Sequence, residues 1–394
     1  MRSGLGNPTR RFSLVVGGPF HDVLLRLGLI ADDGLPRGRV AVALAALAWV
    51  PPALLVVAQS LLDDGYSGWG FFSDATVFAR YMVAISMMVA TERYADRRLN
   101  TLIQQFRIAR LIADGHESQF AAALAVADRR SSSNVAEAVI FAAAIAFAAW
   151  STRYAVVTAS STWEGSVVDG ETVLSWAGTV ASWVSTPLFL FLVLRWLWRF
   201  AVWTTLLYRF ARLPLQLTPM HPDRSAGLGF LSIYPSIFTG FVFALSCVVA
   251  ASVLKELSFV DLSNESIRWM LGGWLAVVVV LFLGPLSVFV PVLHAARETA
   301  LLDYGRLTSQ HHLAFHRKWI NAERSGEELM GSADPSSASD LNASVQAALA
   351  LRVFPVDRFA LIQLLAASGI PLLAVVLSQV PLVELGKRIG LGIL

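Results

Sequence analysis

The chain has 394 residues, of which 56% are hydrophobic and only 15% charged, with a mean hydropathy of +0.60. Soluble domains carry about 25% charged residues, so the composition excludes an ordinary soluble enzyme or binding module and points to a multi-pass membrane protein. The formal charge of +3 is small and scattered, with no zinc-finger spacing, RNP-like aromatics or basic stripe, which argues against a nucleic-acid partner; the single cysteine, Cys247, excludes an intrachain disulfide and a cysteine-based zinc site.

Residues 1–39 are polar and basic, without an uninterrupted apolar core or a clear cleavage site, so they read as mature chain. Within them Phe20, Val23, Leu24, Leu27 and Ile30 recur at helical spacing, which predicts a short helix along the inner membrane surface. Residues 40–91 hold two expected spans. The first is Val40–Leu62, long enough for a ~30 Å hydrocarbon core, with Pro51 and Pro52 predicting a kink. The second is Ala75–Thr91, with Arg80 expected to snorkel or to pair with Asp74.

Residues 92–132 turn amphipathic and charged. They predict a helix that leaves the membrane, turns near Gly115 and returns to Asp128. Residues 133–198 hold the third and fourth spans, an alanine-rich Val135–Tyr154 suited to close packing in lipid and a segment from near Val173 to Trp198. A polar loop, Val156–Glu171, separates them. The fourth is expected to run on as Phe200–Arg212 into the stretch LTPMHPDRSAGLGFL, residues 217–231. There Pro219, Pro222, Gly227 and Gly229 forbid a continuous helix. Residues 199–230 therefore read as a helix followed by a polar hinge.

Residues 231–293 hold the fifth span, Leu231–Leu254, and the sixth, beginning at Trp269, joined by a loop Lys255–Arg268. Residues 294–358 predict a second long helix leaving the membrane, His294–Gly326, and a flexible linker, SADPSSASDLNAS, at Ser332–Ser344. Residues 359–394 predict a seventh span, Phe359–Leu382, or a re-entrant segment turning at Pro371, then a short tail. The fold class is thus all-α, a polytopic bundle of six or seven spans whose helices extend into a cytoplasmic bundle.

Charge asymmetry orients it. Residues 1–39, 91–132, 195–229 and 294–358 carry 6, 7, 5 and 7 Lys or Arg, whereas residues 63–76, 153–173 and 255–268 carry 0, 1 and 2. The N-terminus and the hinge are expected on the cytoplasmic side.

Several residues are candidates for function. His221, Asp223 and Arg224 put three ionisable groups in the hinge, either as a ligand or gating site or with Asp223 capping the next helix. Glu137, Arg195 and Arg199 are charges close to lipid, which are functional candidates by default. Arg195 and Arg199 share a helix face, suited to lipid phosphate or to an ion pair with Glu137 or Asp223. His312 and His316, four apart, have a spacing that can chelate a divalent metal, with Asp223 or Glu298 completing the set. His-Pro-Asp is also the tripeptide of J-domains and GLGF that of the PDZ loop, but apolar spans on both sides leave no room for either domain. G-x-S-x-G, P-loop and Cys-His patterns are missing, so an enzyme has no support in the motifs.

HPDRSAGLGFL (His221–Leu231), preceded by RWLWRFAVW (Arg195–Trp203), resembles a stretch in uncharacterised bacterial multi-pass inner-membrane proteins. The resemblance implies a bacterial inner-membrane location and carries no catalytic assignment. Three expectations follow. The first is a homo-oligomeric channel or transporter gated by its cytoplasmic helices. The second is a membrane scaffold or sensor that binds a partner through them. The third is a metal-dependent membrane enzyme built from His221, Asp223, His312 and His316.

Overall fold

The computed structural model describes residues 12–31, 34–35, 38–157, 163–168, 171–259, 263–321 and 331–379. The end of the expected His294–Gly326 helix, the end of the expected Phe359–Leu382 span and the short tail after it lie outside them. The fold is an all-α bundle in which, among the described residues, six helical stretches are long and apolar enough to cross a membrane: Gly38–Leu62, Glu117–Val157, Trp176–Ala211, Gly229–Phe259, Glu265–Ile320 and Arg358–Ser378. It is a multi-pass membrane protein.

A short helix α1 (Pro19–Arg26) starts on Pro19, whose fixed φ suits a first turn, and buries Leu24. Helix α2 (Gly38–Leu62) runs through Pro51 and Pro52. Pro52 has no N–H for the carbonyl of Ala48, and the Ser185 hydroxyl donates to that oxygen instead, at 2.6 Å. Helix α3 spans 75–108 without a break, with a wider π-type turn at Phe78–Ala84. It holds the expected second span but is not among the six apolar stretches. Arg80 and Glu92 make it polar for its length, and it is shielded by packing between α2 and the later helix Thr239–Phe259.

The chain turns at 109–116, where Gly115 sits at φ 83°, and returns as α4 (Glu117–Ser131). Helix α5 (Asn134–Val157) follows, and its fully buried Ala144 and Ala148 allow close approach to the helical stretch Trp176–Ala211. The loop after α5 contains a feature not expected from the sequence, an antiparallel hairpin of Gly165–Val168 with Glu171–Leu174. Val173 is therefore strand, and α6 (Trp176–Ala211) begins later than predicted.

After the 212–228 loop, short helical turns at Gly229–Ile233 and Tyr234–Ile237 lead into α7 (Thr239–Phe259). Helix α8 (Asn264–Leu283) passes through a tight turn at Gly284–Phe289 into α9 (Val290–Phe315), which continues to Ile320 as a wider turn.

Two expectations are overturned here. Ser332–Ser344 is not a linker. Asp334 and Pro335 start helix α10 (Asp334–Leu349), which lies along α9 and covers Ala348. The re-entrant turn at Pro371 does not form. Helix α11 (Arg358–Gln379) is continuous through it and packs along α7, because one proline removes a single hydrogen bond, which a packed membrane helix tolerates.

At one end of the bundle, fully buried Phe106, Phe120, Phe210 and Phe289 from α3, α4, α6 and the turn before α9 form an aromatic core, with Phe120 and Phe210 stacked at 4.5 Å. This core fixes the exits of three helices and so positions the 212–228 loop.

Candidate functional site

The hinge is a folded loop. Asp223 Oδ1 accepts the backbone N–H groups of Ser225 at 2.8 Å and Gly227 at 3.2 Å, and Oδ2 accepts that of Gly229 at 2.7 Å. His221 Nδ1 lies 3.0 Å from the same carboxylate. Burial alone would raise this carboxyl, but the N–H groups of Ser225, Gly229 and Gly227, with His221, outweigh it and hold it below the ordinary carboxylate range. Arg224, Ala226 and Gly227 all adopt positive φ, at 55°, 54° and 94°. That conformation costs a non-glycine residue energy, and the Asp223 bonds offset it.

The loop is also tied to its neighbours. Gln216 N–H donates to Leu111 O at 2.8 Å, Ala113 N–H to Pro214 O at 3.1 Å, and Arg352 N–H to Arg224 O at 2.7 Å. Asp223 thus organises a fastener between the 109–116 turn and the chain before α11. His221 and Arg224 are exposed at its edge.

His312 and His316 are exposed on α9 and its continuation. Among the described residues no group of three or more His, Cys, Asp or Glu gathers as metal ligands. Asp223 carries its own backbone bonds, and Glu298 faces His294 at 3.5 Å.

The remaining three candidates come together. Arg195 Nε meets Glu137 Oε1 at 3.1 Å, and Arg195 Nη1 meets Glu92 Oε1 at 3.3 Å. Arg199 Nη1 meets the same Glu92 oxygen at 2.6 Å. The four side chains are 2% (Glu92), 5% (Arg199), 7% (Arg195) and 11% (Glu137) exposed, so two positive and two negative charges cancel out of water. Both arginines lie on consecutive turns of α6, Glu92 comes from α3, and Glu137 comes from the first turn of α5, where the helix dipole favours a carboxylate. Of the partners considered for the arginines, Glu137 is used and Asp223 is not.

The N-terminal segment completes the site. Arg199 Nη2 donates to Val15 O at 3.3 Å, and Phe20 N–H donates to Glu137 Oε2 at 3.1 Å. The Phe20 ring lies under the Arg195 guanidinium, 4.8 Å away. Ser13 Oγ donates to Asp96 Oδ1 at 2.6 Å and accepts the N–H groups of Val15 and Val16. Gly18 is required here on two counts: its φ is 86°, and a Cβ on it would collide with Glu137 Oε2.

Sequence reasoning missed Glu92, Asp96 and Ser13. The available signal was the position of Glu92, the first acid after the apolar stretch of its helix, where α3 passes from apolar to charged.

Beside Glu137 is a cavity of about 500 Å³ lined by α1, α2, α5 and α6. Its walls include Phe20, Val23, Leu47, Phe141, Val184 and Leu188, and Glu137 is the ionisable group among its lining residues.

No protein-family model, curated protein or solved structure matches this chain.

Proposed function

We propose that the protein is a gated membrane protein of the channel or transporter type, with residues 12–31 as its movable element and the Glu92–Glu137–Arg195–Arg199 cluster as the latch. The observation that carries this reading is the bonding of a fully neutralised, buried four-charge cluster to the N-terminal segment, through Val15 O and Phe20 N–H. A buried ion pair is a poor stabiliser compared with apolar residues of equal volume. Charges inside a membrane bundle are costly enough to mark function by default. A cluster with these properties suits an element that must come apart. In this reading the latch faces the cytoplasm of a bacterial cell and the chain works as a homo-oligomer.

A second reading, a scaffold or sensor that conducts nothing, draws support from the intramembrane hydroxyls. Tyr81 and Thr186 bond each other at 2.8 Å, Ser246 accepts the Trp274 N–H at 2.8 Å, and Ser185 serves Ala48 O. Each is used locally, so a conducting path would lie between copies or open only on release of the N-terminal segment.

Ion and solute flux from liposomes holding the purified protein tests the first reading. The wild type is expected to leak slowly. Ser13→Ala and Glu92→Gln are expected to raise flux by about tenfold, the shift given by about 1.4 kcal/mol of lost closed-state stabilisation. Equal, near-zero flux from folded wild type and variants would transfer the assignment to the scaffold or sensor reading.

A further inference from the structure

The apolar cavity beside Glu137 is built from four elements, three of which belong to stretches that can cross a membrane. Its volume of about 500 Å³ falls in the ligand-site range of roughly 300–1,000 Å³, and its make-up, apolar walls with a sparse polar group, is that of such sites. Leu47, Phe141 and Trp183 among its lining residues are exposed at 49%, 53% and 62%. These exposed apolar side chains sit on stretches long and apolar enough to cross a membrane, so in a bilayer the mouth they border would open sideways to lipid.

The charged end of the cavity has one sign of hydrogen bonding to offer. Glu137 accepts from Arg195 through Oε1 and from Phe20 N–H through Oε2, which leaves each oxygen capacity for a further donor. Arg195 is not among the lining residues; it lies behind Glu137 and the Phe20 ring. A head group in the cavity therefore meets a carboxylate and not a guanidinium. A carboxylate or phosphate head is repelled there, and a hydroxyl or ammonium head is accepted.

We infer that this cavity binds a long-chain alcohol or amine taken laterally from the bilayer, with its alkyl chain between Phe141, Val184 and Leu188 and its donor head on Glu137. The inference does not depend on the gating reading, because the cavity is formed with the latch closed.

The test uses full-length protein in phosphatidylcholine vesicles, whose head group donates no hydrogen bond. One arm adds a long-chain alcohol with a photoactivatable chain, and the other a phosphatidylcholine with the same photoactivatable chain. Adducts of the alcohol are expected to concentrate on Phe141, Val184 and Leu188. Val184→Trp, at a partly exposed position where a larger ring fills the space, is expected to lower that labelling by about tenfold or more. Val277→Trp, on an exposed face of α8 that does not line the cavity, is expected to leave it unchanged. Unlabelled long-chain amine or alcohol should compete about tenfold better than the fatty acid of equal length. The inference is overturned by adducts spread evenly over lipid-facing residues, by labelling indifferent to Val184→Trp, by equal competition from the fatty acid, or by equal labelling from the phosphatidylcholine probe.

Discussion

The bundle is closed at one end by four buried charges and at the other by a single ion pair set in aromatic rings. At the second end Lys255 Nζ meets Asp74 Oδ2 at 2.7 Å, Trp163 Nε1 donates to the same oxygen at 3.2 Å, and Trp163 packs edge-on against Phe71. Tyr66 and Ser175 both donate to Trp163 O. The Lys255 side chain keeps 22% exposure, whereas no member of the four-charge cluster exceeds 11%. One end keeps water access for its cation and hangs on one indole. The other puts every charge out of water and bonds a terminal segment to three helices. A change of state is therefore least costly at the four-charge end. Releasing the Trp163 cap gains nothing for its single pair, whereas releasing residues 12–20 lets water reach charges that were costly to bury.

The largest effect that would break this contrast is on stability. Glu92→Ala leaves two buried guanidinium groups under-neutralised and is expected to cost about 3–5 kcal/mol, against less for the quadruple change Glu92→Leu, Glu137→Leu, Arg195→Met, Arg199→Leu, which removes all four charges together. Thermal unfolding in detergent reads both; a quadruple variant weaker than the single would contradict a costly, mutually neutralised cluster. Asp74→Asn at the other end is expected to cost less, about 1.5–3 kcal/mol, the range for hydrogen bonds to a charged group, and to leave liposome flux unchanged.

Asp223→Ala removes the acceptor of three backbone N–H groups and is expected to cost about 0.5–2 kcal/mol, as loss of a capping side chain does. Its loss should show as faster amide exchange at 223–229.

The two carboxylates that anchor the Lys255 pair and the 212–228 loop also set a pH dependence. Burial alone would raise the Asp74 carboxyl, but the Lys255 ammonium and the bonds from Lys255, Thr76 and Trp163 hold it below its ordinary value. Asp223 is depressed as well. A depressed carboxyl contributes fully above the unfolded value of about 3.9 and loses its contribution as pH falls through the lower, folded value. Amide exchange at 74–77 and 223–229 should therefore rise only below about pH 4, a window set by that unfolded value. Exchange rising instead between neutral pH and that window would contradict the assignment. The smallest effect is expected from His312→Ala with His316→Ala, two exposed side chains, at under about 0.5 kcal/mol.

Much of the scaffold was legible in the sequence because long apolar runs such as 40–62 and 135–154 have little freedom in a bilayer. The 92–128 helical hairpin could be read from Gly115 and from the spacing of Leu99, Leu102, Ile103 and Phe106, all of them buried. What composition hid was long-range. Ser332–Ser344 has the residues of a linker, yet it is helical because α9 offers it a face to pack on. The ion pairs of the four-charge cluster join residues 58 to 107 positions apart, and its acids look like ordinary boundary charges until α3, α5 and α6 are laid side by side. Arg80 is expected from the sequence to snorkel or to pair with Asp74, six positions before it; the partner Asp74 takes is Lys255, 181 residues away, which sequence proximity does not show.

The central claim is that the cluster holds residues 12–20 in the bundle, and the most direct measurement is the reactivity of a cysteine placed within that segment. Val15 is 4% exposed, and the native Cys247 can be replaced by alanine to give a silent background. Val15→Cys should be protected from a water-soluble maleimide in otherwise wild-type protein. With Glu92→Gln added, it should react about tenfold or more faster while the fold is retained. Equal, slow labelling in both proteins would contradict the claim and leave the cluster as a fixed part of the core.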